Sequence, residues 1–238
     1  MVASLSNAEL GKNTQQDKAN LPAGFVYVDS IIPSVILDMR YAGSDNFLGR
    51  PVAGYNKPVC IFTEKATQVL AGVQAELLEN NLCLKIFDCY RPQKAVDDFV
   101  FWRSQPASPE MKEKWFPRLT KKEIFEQGYI FEKSAHSRGS TIDLTIVSLS
   151  DSYFNSHSGA ASLSVLDNGE LDMGSPFDLF DSLSHTDSNQ INSQQKSNRM
   201  MFQALMQKHG FEGIAEEWWH FTLRDEPFKD QYFDFNVD

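Results

Sequence analysis

The chain has 238 residues, of which 42 % are hydrophobic, 12 % aromatic and 23 % charged, values that are ordinary for a globular protein. Acidic side chains outnumber basic ones by 32 to 22, which gives a formal net charge of −10. This excess argues against a nucleic-acid binder and against adhesion to an anionic membrane surface, because both depend on cationic side chains. A chain of this length forms a hydrophobic core without the help of disulfides.

The beginning of the chain differs in character from the rest. Residues 1–20 are polar and aperiodic, which predicts a flexible N-terminal tail, and residues 21–238 are expected to form a single domain. No stretch approaches the roughly 18 apolar residues of a membrane span, and the N-terminus has neither the basic nor the apolar region of a secretory signal. We expect a cytoplasmic protein as given, or a periplasmic one if a leader has been removed.

The number and spacing of the cysteines argue against a fold that is stabilised by disulfides. Cys60, Cys83 and Cys89 are odd in number and form no C-x-x-C pair. We therefore expect buried core thiols rather than a disulfide framework or a thiolate metal site.

Hydrophobic patterning predicts the elements of the first half of the chain. Apolar and β-branched runs bounded by Gly and Pro indicate strands, and apolar side chains at helical spacing indicate helices. The predicted order is a strand at 35–41, a loop rich in Gly and Pro at 43–58, a helix capped by Thr63, a buried strand at 82–88 that ends before Arg91, and a helix at about 93–103.

The second half alternates elements with polar segments. The predicted order is a short helix at about 121–127, a strand at 140–147, polar surface excursions near 148–170 and 182–198, a helix that ends at Gly210, and a closing strand at 218–223. Strands and helices mix without a regular βαβ alternation. The pattern therefore predicts an α+β fold with a central antiparallel sheet packed by helices.

Two of the five histidines have carboxylates at short range in the sequence. His136 precedes Asp143 by seven residues, and a turn at Gly139 between them brings a loop histidine and a strand aspartate to one point. His220 follows Glu217 by three residues. Residues three apart on a strand point to opposite faces, so a shared pocket requires Glu217 to lie on a turn just before the strand.

These residue types together favour metal-assisted hydrolysis. Two histidines and one carboxylate suit Zn²⁺ with one open position, where bound water becomes a nucleophile near neutral pH. Glu217 is the candidate to take the proton of that water and deliver it to a leaving amine. Arg91, next to Pro92 at a strand end, is the candidate to stabilise the oxyanion. Singly, each residue is as compatible with a structural role.

The motifs that contain these residues resemble a known family. S-x-H-S-R-G-S-x-x-D at 134–143, followed by E-W-W-H at 217–220, resembles the D-alanyl-D-alanine dipeptidases, the VanX-type zinc peptidases related to D,D-carboxypeptidases and to the hedgehog signalling domain. Blocks at 38–55, D-C-Y-R-P at 88–92 and D-M-G-S-P-F-D at 172–178 are also similar. The resemblance implies a hedgehog or D,D-peptidase-like fold.

The resemblance also implies roles for individual residues. It implies His136, Asp143 and His220 as ligands of one Zn²⁺ per chain, Glu217 as catalytic base and Arg91 as the residue that polarises the scissile carbonyl. The implied substrate-binding residues are Ser134, Asp172 near the position that holds the substrate ammonium, Tyr41 and Tyr55. The implied partner is a small zwitterionic D,D-dipeptide, with no nucleic acid, no membrane span and no obligatory protein partner.

Two other functions remain open at this stage. One is a D,D-carboxypeptidase or another peptidoglycan peptidase that acts on longer substrates. The other is a zinc-binding module without catalytic activity, against which the presence of both Glu217 and Arg91 argues. For the dipeptidases themselves, the resemblance leaves open whether the chain supports glycopeptide resistance at the cell wall or recycles D-alanine.

Overall fold

The computed structural model describes residues 21–149 and 165–238. The predicted N-terminal tail and most of the predicted excursion at 148–170 lie outside the described residues. Among the helices of the described ranges, none combines the length and the apolar character that crossing a membrane requires.

The strands form two sheets within the described ranges. A central five-stranded sheet has the order β2-β4-β5-β7-β6, and β1 pairs with β3 in a separate antiparallel ribbon. The strands are β1 Phe25–Tyr27, β2 Ile36–Leu37, β3 Ile61–Thr63, β4 Leu82–Asp88, β5 Thr141–Ser148, β6 Phe211–Gly213 and β7 His220–Leu223.

The described helices are short except for two. Their bounds are α1 Val28–Ile31, α2 Glu64–Leu78, α3 Gln93–Trp102, α4 Pro109–Trp115, α5 Lys121–Glu126 and α6 Ser193–Lys208. Thr63 caps α2 as predicted, because its side chain accepts a hydrogen bond from the amide of Ala66. No helix was predicted at α4, where Ser108 is the N-cap and Pro109 occupies the first turn.

Helix α6 begins earlier than the polar composition of 182–198 indicated. Asn192 and Gln195 form a capping box that starts the helix, so 193–198 is helical rather than part of a surface excursion. Asn198 and Arg199 are buried, and the Arg199 guanidinium donates to the carbonyls of Met173 and His185. Polar side chains here face backbone acceptors of the protein interior, which composition alone does not reveal.

The prediction of an α+β fold is confirmed, with one addition to the sheet. The pairings of β4 with β5, β5 with β7 and β6 with β7 are antiparallel, whereas the edge strand β2 pairs with β4 in parallel. The predicted strand at 35–41 is reduced to Ile36–Leu37, because the chain turns into a 3-10 helix at Arg40–Ala42.

The expectation for the cysteines is wrong for two of the three. Cys60 and Cys89 form a disulfide whose Cα atoms are 5.6 Å apart, and Cys83 is the free, buried thiol. An odd number of cysteines argues only that one is left over. The pairing depends on tertiary structure, which places the residue before β3 next to the residue after β4.

The register of the central sheet places charged residues in one row. Asp143 on β5 pairs with His220 on β7, and on its other side with Asp88 at the end of β4, where the β4–β5 register shifts at a bulge. Bulges commonly redirect a side chain next to a functional site. Three ionisable residues from distant parts of the chain therefore lie side by side in the central sheet.

Candidate metal centre and active site

His136 enters the site from a tight turn beside the central sheet. It lies on the 3-10 helix Ala135–Arg138, which ends at Gly139 with φ +80°. Only glycine fits there without strain, because the backbone is left-handed and a Cβ would lie 2.2 Å from the ring of Phe25. The predicted turn at Gly139 thus brings His136 and Asp143 together.

The three predicted ligands meet at one point. His136 Nε2 is 3.3 Å from Asp143 Oδ2, His220 Nδ1 is 3.1 Å from Asp143 Oδ1, and the two imidazole nitrogens are 3.3 Å apart. His136 and Asp143 are buried, and His220 is nearly so. Burial lowers the pKa of His220, which favours the neutral imidazole that binds a metal. The set is suited to hold a divalent metal ion.

The orientation of His136 is determined by its second nitrogen. His136 Nδ1 donates to the backbone carbonyl of Cys89 at 2.7 Å and lies 3.5 Å from Asp88 Oδ2. A proton on Nδ1 leaves the lone pair of Nε2 directed toward Asp143 and His220. Metal-binding histidines are commonly held in this way by a carbonyl or a carboxylate.

Asp88 contacts the candidate site, although the sequence did not assign it a role there. It is fully buried and accepts hydrogen bonds from Tyr55 Oη at 2.6 Å and from Arg91 Nε at 2.9 Å. Burial raises its pKa, against the opposing effect of Arg91 and His136. The available signal was an aspartate that ends a buried strand three residues before Arg91. Tyr55 thus contacts the site through Asp88 rather than lining it.

Arg91 projects from the segment between β4 and α3 toward the candidate ligands. Its Nη2 is 3.3 Å from Asp143 Oδ2, and its guanidinium lies over the rings of Tyr41 and Phe99 at 5.1 and 5.0 Å. Burial opposes the positive charge, but the neighbouring Tyr41 and Asp88 keep the pKa of Arg91 well above its usual value. The site therefore contains a permanent cation that is held rigidly beside the candidate ligands.

Glu217 lies immediately before the turn that leads into β7, as the shared pocket required. Its Oε2 is 3.6 Å from His220 Nδ1, and its carbonyl accepts from the amide of His220. Burial, followed by the carboxylates of Asp143 and Asp178, raises the pKa of Glu217 well above its usual value. The side chain thus has a strong affinity for a proton, a property typical of residues that transfer protons in catalysis.

These groups line a cavity of about 240 Å³. Burial and the nearby Asp143 raise the pKa of Asp178 to about 8, and Asp178 accepts a hydrogen bond from Tyr41 at 2.9 Å. Ser134, at the edge, accepts from the amide of His136 through its hydroxyl. Of the residues singled out from the sequence, those that line the cavity are Tyr41, Arg91, Ser134, His136, Asp143, Glu217, Trp219 and His220.

The structure does not place Asp172 in this cavity. Its carboxylate accepts hydrogen bonds from Gln195 and from the amide of Gly174, and it lines a separate surface depression. Asp178, six residues later, occupies the cavity instead. Both aspartates belong to the D-M-G-S-P-F-D block at 172–178, so the sequence prediction selected the block, and the structure places the second aspartate of it in the cavity rather than the first.

Comparison with known proteins gives a consistent result. A family model of the M15 peptidases, described as D-Ala-D-Ala dipeptidase, matches residues 22–238. A D-alanyl-D-alanine dipeptidase of Enterococcus faecium is 38 % identical over 215 residues, which cover 90 % of this chain and 98 % of the relative. Its counterpart in Streptomyces coelicolor is 36 % identical with the same coverage, and that of Escherichia coli is 30 % identical over 81 % of both chains.

Proposed function

The chain belongs to the D-Ala-D-Ala dipeptidase family of the M15 peptidases, and from this membership we propose how it hydrolyses D-Ala-D-Ala to D-alanine. The observation that carries the proposal is the buried set of His136, Asp143 and His220 beside Glu217 in one small cavity. Glu217 and Arg91 then perform the chemistry, and Asp178 selects the substrate.

We assign the metal as Zn²⁺, and the donor set supports this. Ligand atoms bound at about 2.0–2.2 Å in a tetrahedral arrangement lie about 3.3–3.5 Å from one another, close to the separations of 3.1–3.3 Å among the three donor atoms here. Two imidazoles and one carboxylate leave a fourth position open, as in catalytic zinc sites. A bound Zn²⁺ would supply Lewis-acid polarisation of the scissile carbonyl and a water that ionises near neutral pH.

Glu217 is the proton carrier of the proposed reaction. Its carboxylate takes a proton from the attacking water and delivers it to the nitrogen of the scissile amide, which leaves as an amine. A carboxylate suits both steps, because it accepts the proton of the water and returns it to the more basic amine nitrogen. Its position beside His220 keeps it next to the metal ligands.

Arg91 stabilises the charge that develops on the carbonyl oxygen. As water attacks, the carbonyl oxygen becomes negative, and the Arg91 guanidinium donates hydrogen bonds to it. The side chain needs little reorganisation, because Asp88 holds Nε and the rings of Tyr41 and Phe99 flank the guanidinium. Its charge is therefore in place before the transition state forms.

Asp178 is the proposed anchor for the substrate ammonium, in place of Asp172. It is a buried carboxyl group in the cavity wall that accepts a hydrogen bond from Tyr41. Burial and Asp143 raise its pKa, and an ammonium group next to it would favour its charged form. Ser134 at the rim is the proposed contact for the substrate carboxylate. A cavity of about 240 Å³ is smaller than the roughly 300–1,000 Å³ of pockets for drug-sized ligands, in accord with a dipeptide.

The same features weigh against the two alternatives. A peptidase that acts on longer stems requires room for a chain beyond the amino end of the substrate, where Asp178 and Tyr41 are buried. A zinc module without catalytic activity does not require a buried glutamate beside the metal ligands, and a raised pKa such as that of Glu217 is typical of catalytic residues.

The experiment that tests the proposal compares three substrates with the purified protein. We expect release of D-alanine from D-Ala-D-Ala, at least about 100-fold lower kcat/KM for N-acetyl-D-Ala-D-Ala, and little turnover of L-Ala-L-Ala. Activity should disappear on chelation and return with Zn²⁺. Preferred hydrolysis of the acetylated peptide would reject the dipeptidase in favour of a carboxypeptidase, and metal binding without hydrolysis of any of them would favour the non-catalytic module.

The compartment is a further part of the proposal. A structural disulfide persists in an oxidising environment and is rare in the cytosol. The Cys60–Cys89 disulfide therefore supports a periplasmic location over the cytoplasmic one. Removal of D-Ala-D-Ala for glycopeptide resistance and recycling of D-alanine share the same reaction, and growth of a deletion strain with a glycopeptide or with D-Ala-D-Ala as nutrient distinguishes them.

A further inference from the structure

We propose that the Cys60–Cys89 disulfide is a positioning element of the active site, which holds the Cys89 carbonyl against the metal ligand His136 and sets the segment that carries Arg91. The inference rests on the proposed metal site and adds to it the pair of Cys60 and Cys89, neither of which the sequence analysis gave a role in the site. Both half-cystines are fully buried, so the disulfide lies in the protein interior rather than on the surface.

The disulfide joins two segments that both contact the turn of His136. Cys60 precedes β3, and Cys89 follows β4 within the segment that leads to Arg91. The amide of Tyr90 donates to the carbonyl of Ile61 at 3.0 Å, so the two segments run side by side at the covalent link. The position of Cys89 is thereby tied to β3.

The same segments hold His136 from three directions. The imidazole donates to the Cys89 carbonyl at 2.7 Å, and the amide of Arg91 donates to the His136 carbonyl at 3.3 Å. On the other side, the amide of Thr63 on β3 donates to the carbonyl of Gly139 at 2.8 Å. The disulfide links these contacts covalently. It joins the segment of Cys89, whose carbonyl orients the His136 ring, to the start of β3, whose Thr63 amide holds Gly139 at the end of the His136 turn.

Loss of the covalent link releases the Cys89 carbonyl more than the rest of the fold. Without the disulfide, the planar Cys89–Tyr90 peptide is held to β3 by the hydrogen bond from the Tyr90 amide to the Ile61 carbonyl, which restrains the Cys89 carbonyl less firmly than the covalent bond does. An imidazole with a poorly held Nδ1 proton presents Nε2 less well to a metal, and losing such a partner typically weakens metal affinity 10- to 100-fold. The guanidinium of Arg91 moves with the same segment.

The test compares three variants with a matched control. Cys60→Ala, Cys89→Ala and the double variant each remove the bond, and Cys83→Ala removes a buried sulfur that is not part of it. Zn²⁺ affinity is measured by competition with a chromophoric chelator, and the Nδ1 proton of His136 is observed by nitrogen NMR of the metal-free protein. We expect all three variants to bind Zn²⁺ about 10-fold or more weakly and to shift the His136 signals, and Cys83→Ala to match the wild type.

Two features of the result identify a positioning role. The double variant should be no worse than either single variant, because each already breaks the same bond. Wild-type Zn²⁺ affinity and unchanged His136 signals in the folded double variant would overturn the proposal, even if its melting temperature fell. If the variants do not fold, the wild type is unfolded in urea, reduced by a phosphine and refolded, because the buried bond is not accessible in the folded state. In the reduction, water supplies the oxygen of the phosphine oxide, the sulfur–sulfur bond takes up two electrons, and two thiols form.

The Zn²⁺ affinity and the His136 signals of the reduced protein then test the proposal in the same way. Unchanged affinity and unchanged signals after reduction would reject the role of the disulfide. A wild type that binds no Zn²⁺ at all would instead defeat the proposed function, and the His136 signals of the metal-free protein would still test whether the disulfide orients the ring.

Discussion

Asp143 and His220 are direct cross-strand partners on β5 and β7, and His220 Nδ1 lies 3.1 Å from Asp143 Oδ1 although the residues are 77 positions apart. The sheet register alone brings them together. His136 reaches the same point from the turn that precedes β5. Two of the three candidate metal ligands are thus held by strands, which are more rigid supports than loops.

Glu217→Gln removes the proton carrier while it preserves the size of the side chain. We expect kcat for D-Ala-D-Ala to fall by about 10²- to 10⁴-fold, because an amide cannot accept the proton of the attacking water. Glu217 is outside the ligand set, so metal content, measured by atomic absorption, should stay at one Zn²⁺ per chain. A kcat within about threefold of the wild type would remove Glu217 from the mechanism.

His136→Ala removes one of the three ligands. We expect loss of stoichiometric Zn²⁺ after dialysis, because two remaining ligands bind a divalent ion far more weakly than three. The matched control is His209→Ala, since His209 pairs with Glu76 on the surface away from the cavity. The control should retain its metal, and a metal-replete His136→Ala protein would contradict the assignment of this ligand.

Arg91→Lys retains the positive charge but loses the planar guanidinium that bonds Asp88 through Nε. We expect kcat to fall about 10²- to 10³-fold with a smaller change in KM, because the lost donors act mainly on the transition state. Arg50→Lys is the control, since Arg50 forms an exposed pair with Asp98. Steady-state kinetics should show wild-type values for the control, and equal values for Arg91→Lys would exclude the proposed role.

Asp178→Asn and Asp172→Asn test which of the two aspartates binds the substrate ammonium, Asp178 as the structure indicates or Asp172 as the sequence resemblance implied. Asp178→Asn should raise KM for D-Ala-D-Ala by about 10- to 100-fold, since a charged hydrogen bond contributes about 1.5–3 kcal/mol. Asp172→Asn should leave KM within about twofold, because Asp172 lies outside the cavity. A large rise in KM for Asp172→Asn and none for Asp178→Asn would instead identify Asp172 as the ammonium contact.

The raised pKa of Asp178 predicts how the stability of the metal-free protein depends on pH. Between its ordinary value near 4 and its folded value of about 8, the folded protein binds more protons than the unfolded one. The contribution of Asp178 to the free energy of unfolding therefore falls as pH rises through this window, by at most about 1.4 kcal/mol per pH unit, and levels off above pH 8. Urea denaturation of the wild type and of Asp178→Asn from pH 5 to 9 measures this contribution. As pH rises, the free energy of unfolding of the wild type should fall relative to that of Asp178→Asn. A difference in free energy that does not depend on pH would contradict the raised pKa.

The sequence by itself predicted the α+β class and the three residues that the structure brings together as a candidate metal site. Local patterns were sufficient for α2, β4 and β5, because apolar spacing and the Thr63 cap act within a few residues. His136, Asp143, Glu217 and His220 were found from motifs whose spacing is itself local. The turn before β7 was predicted because residues three apart on a strand cannot share a face.

Tertiary structure alone decided which distant residues meet. The position of Asp178 rather than Asp172 in the cavity, the contacts of Asp88 with Tyr55 and His136, and the Cys60–Cys89 bond all depend on contacts between segments far apart in sequence. The helical start at Ser193 also escaped prediction, because its buried polar side chains bond to backbone carbonyls of other segments. Hydrophobic periodicity records which face of an element is buried, whereas the partner of a polar group is set by the packing of the whole chain.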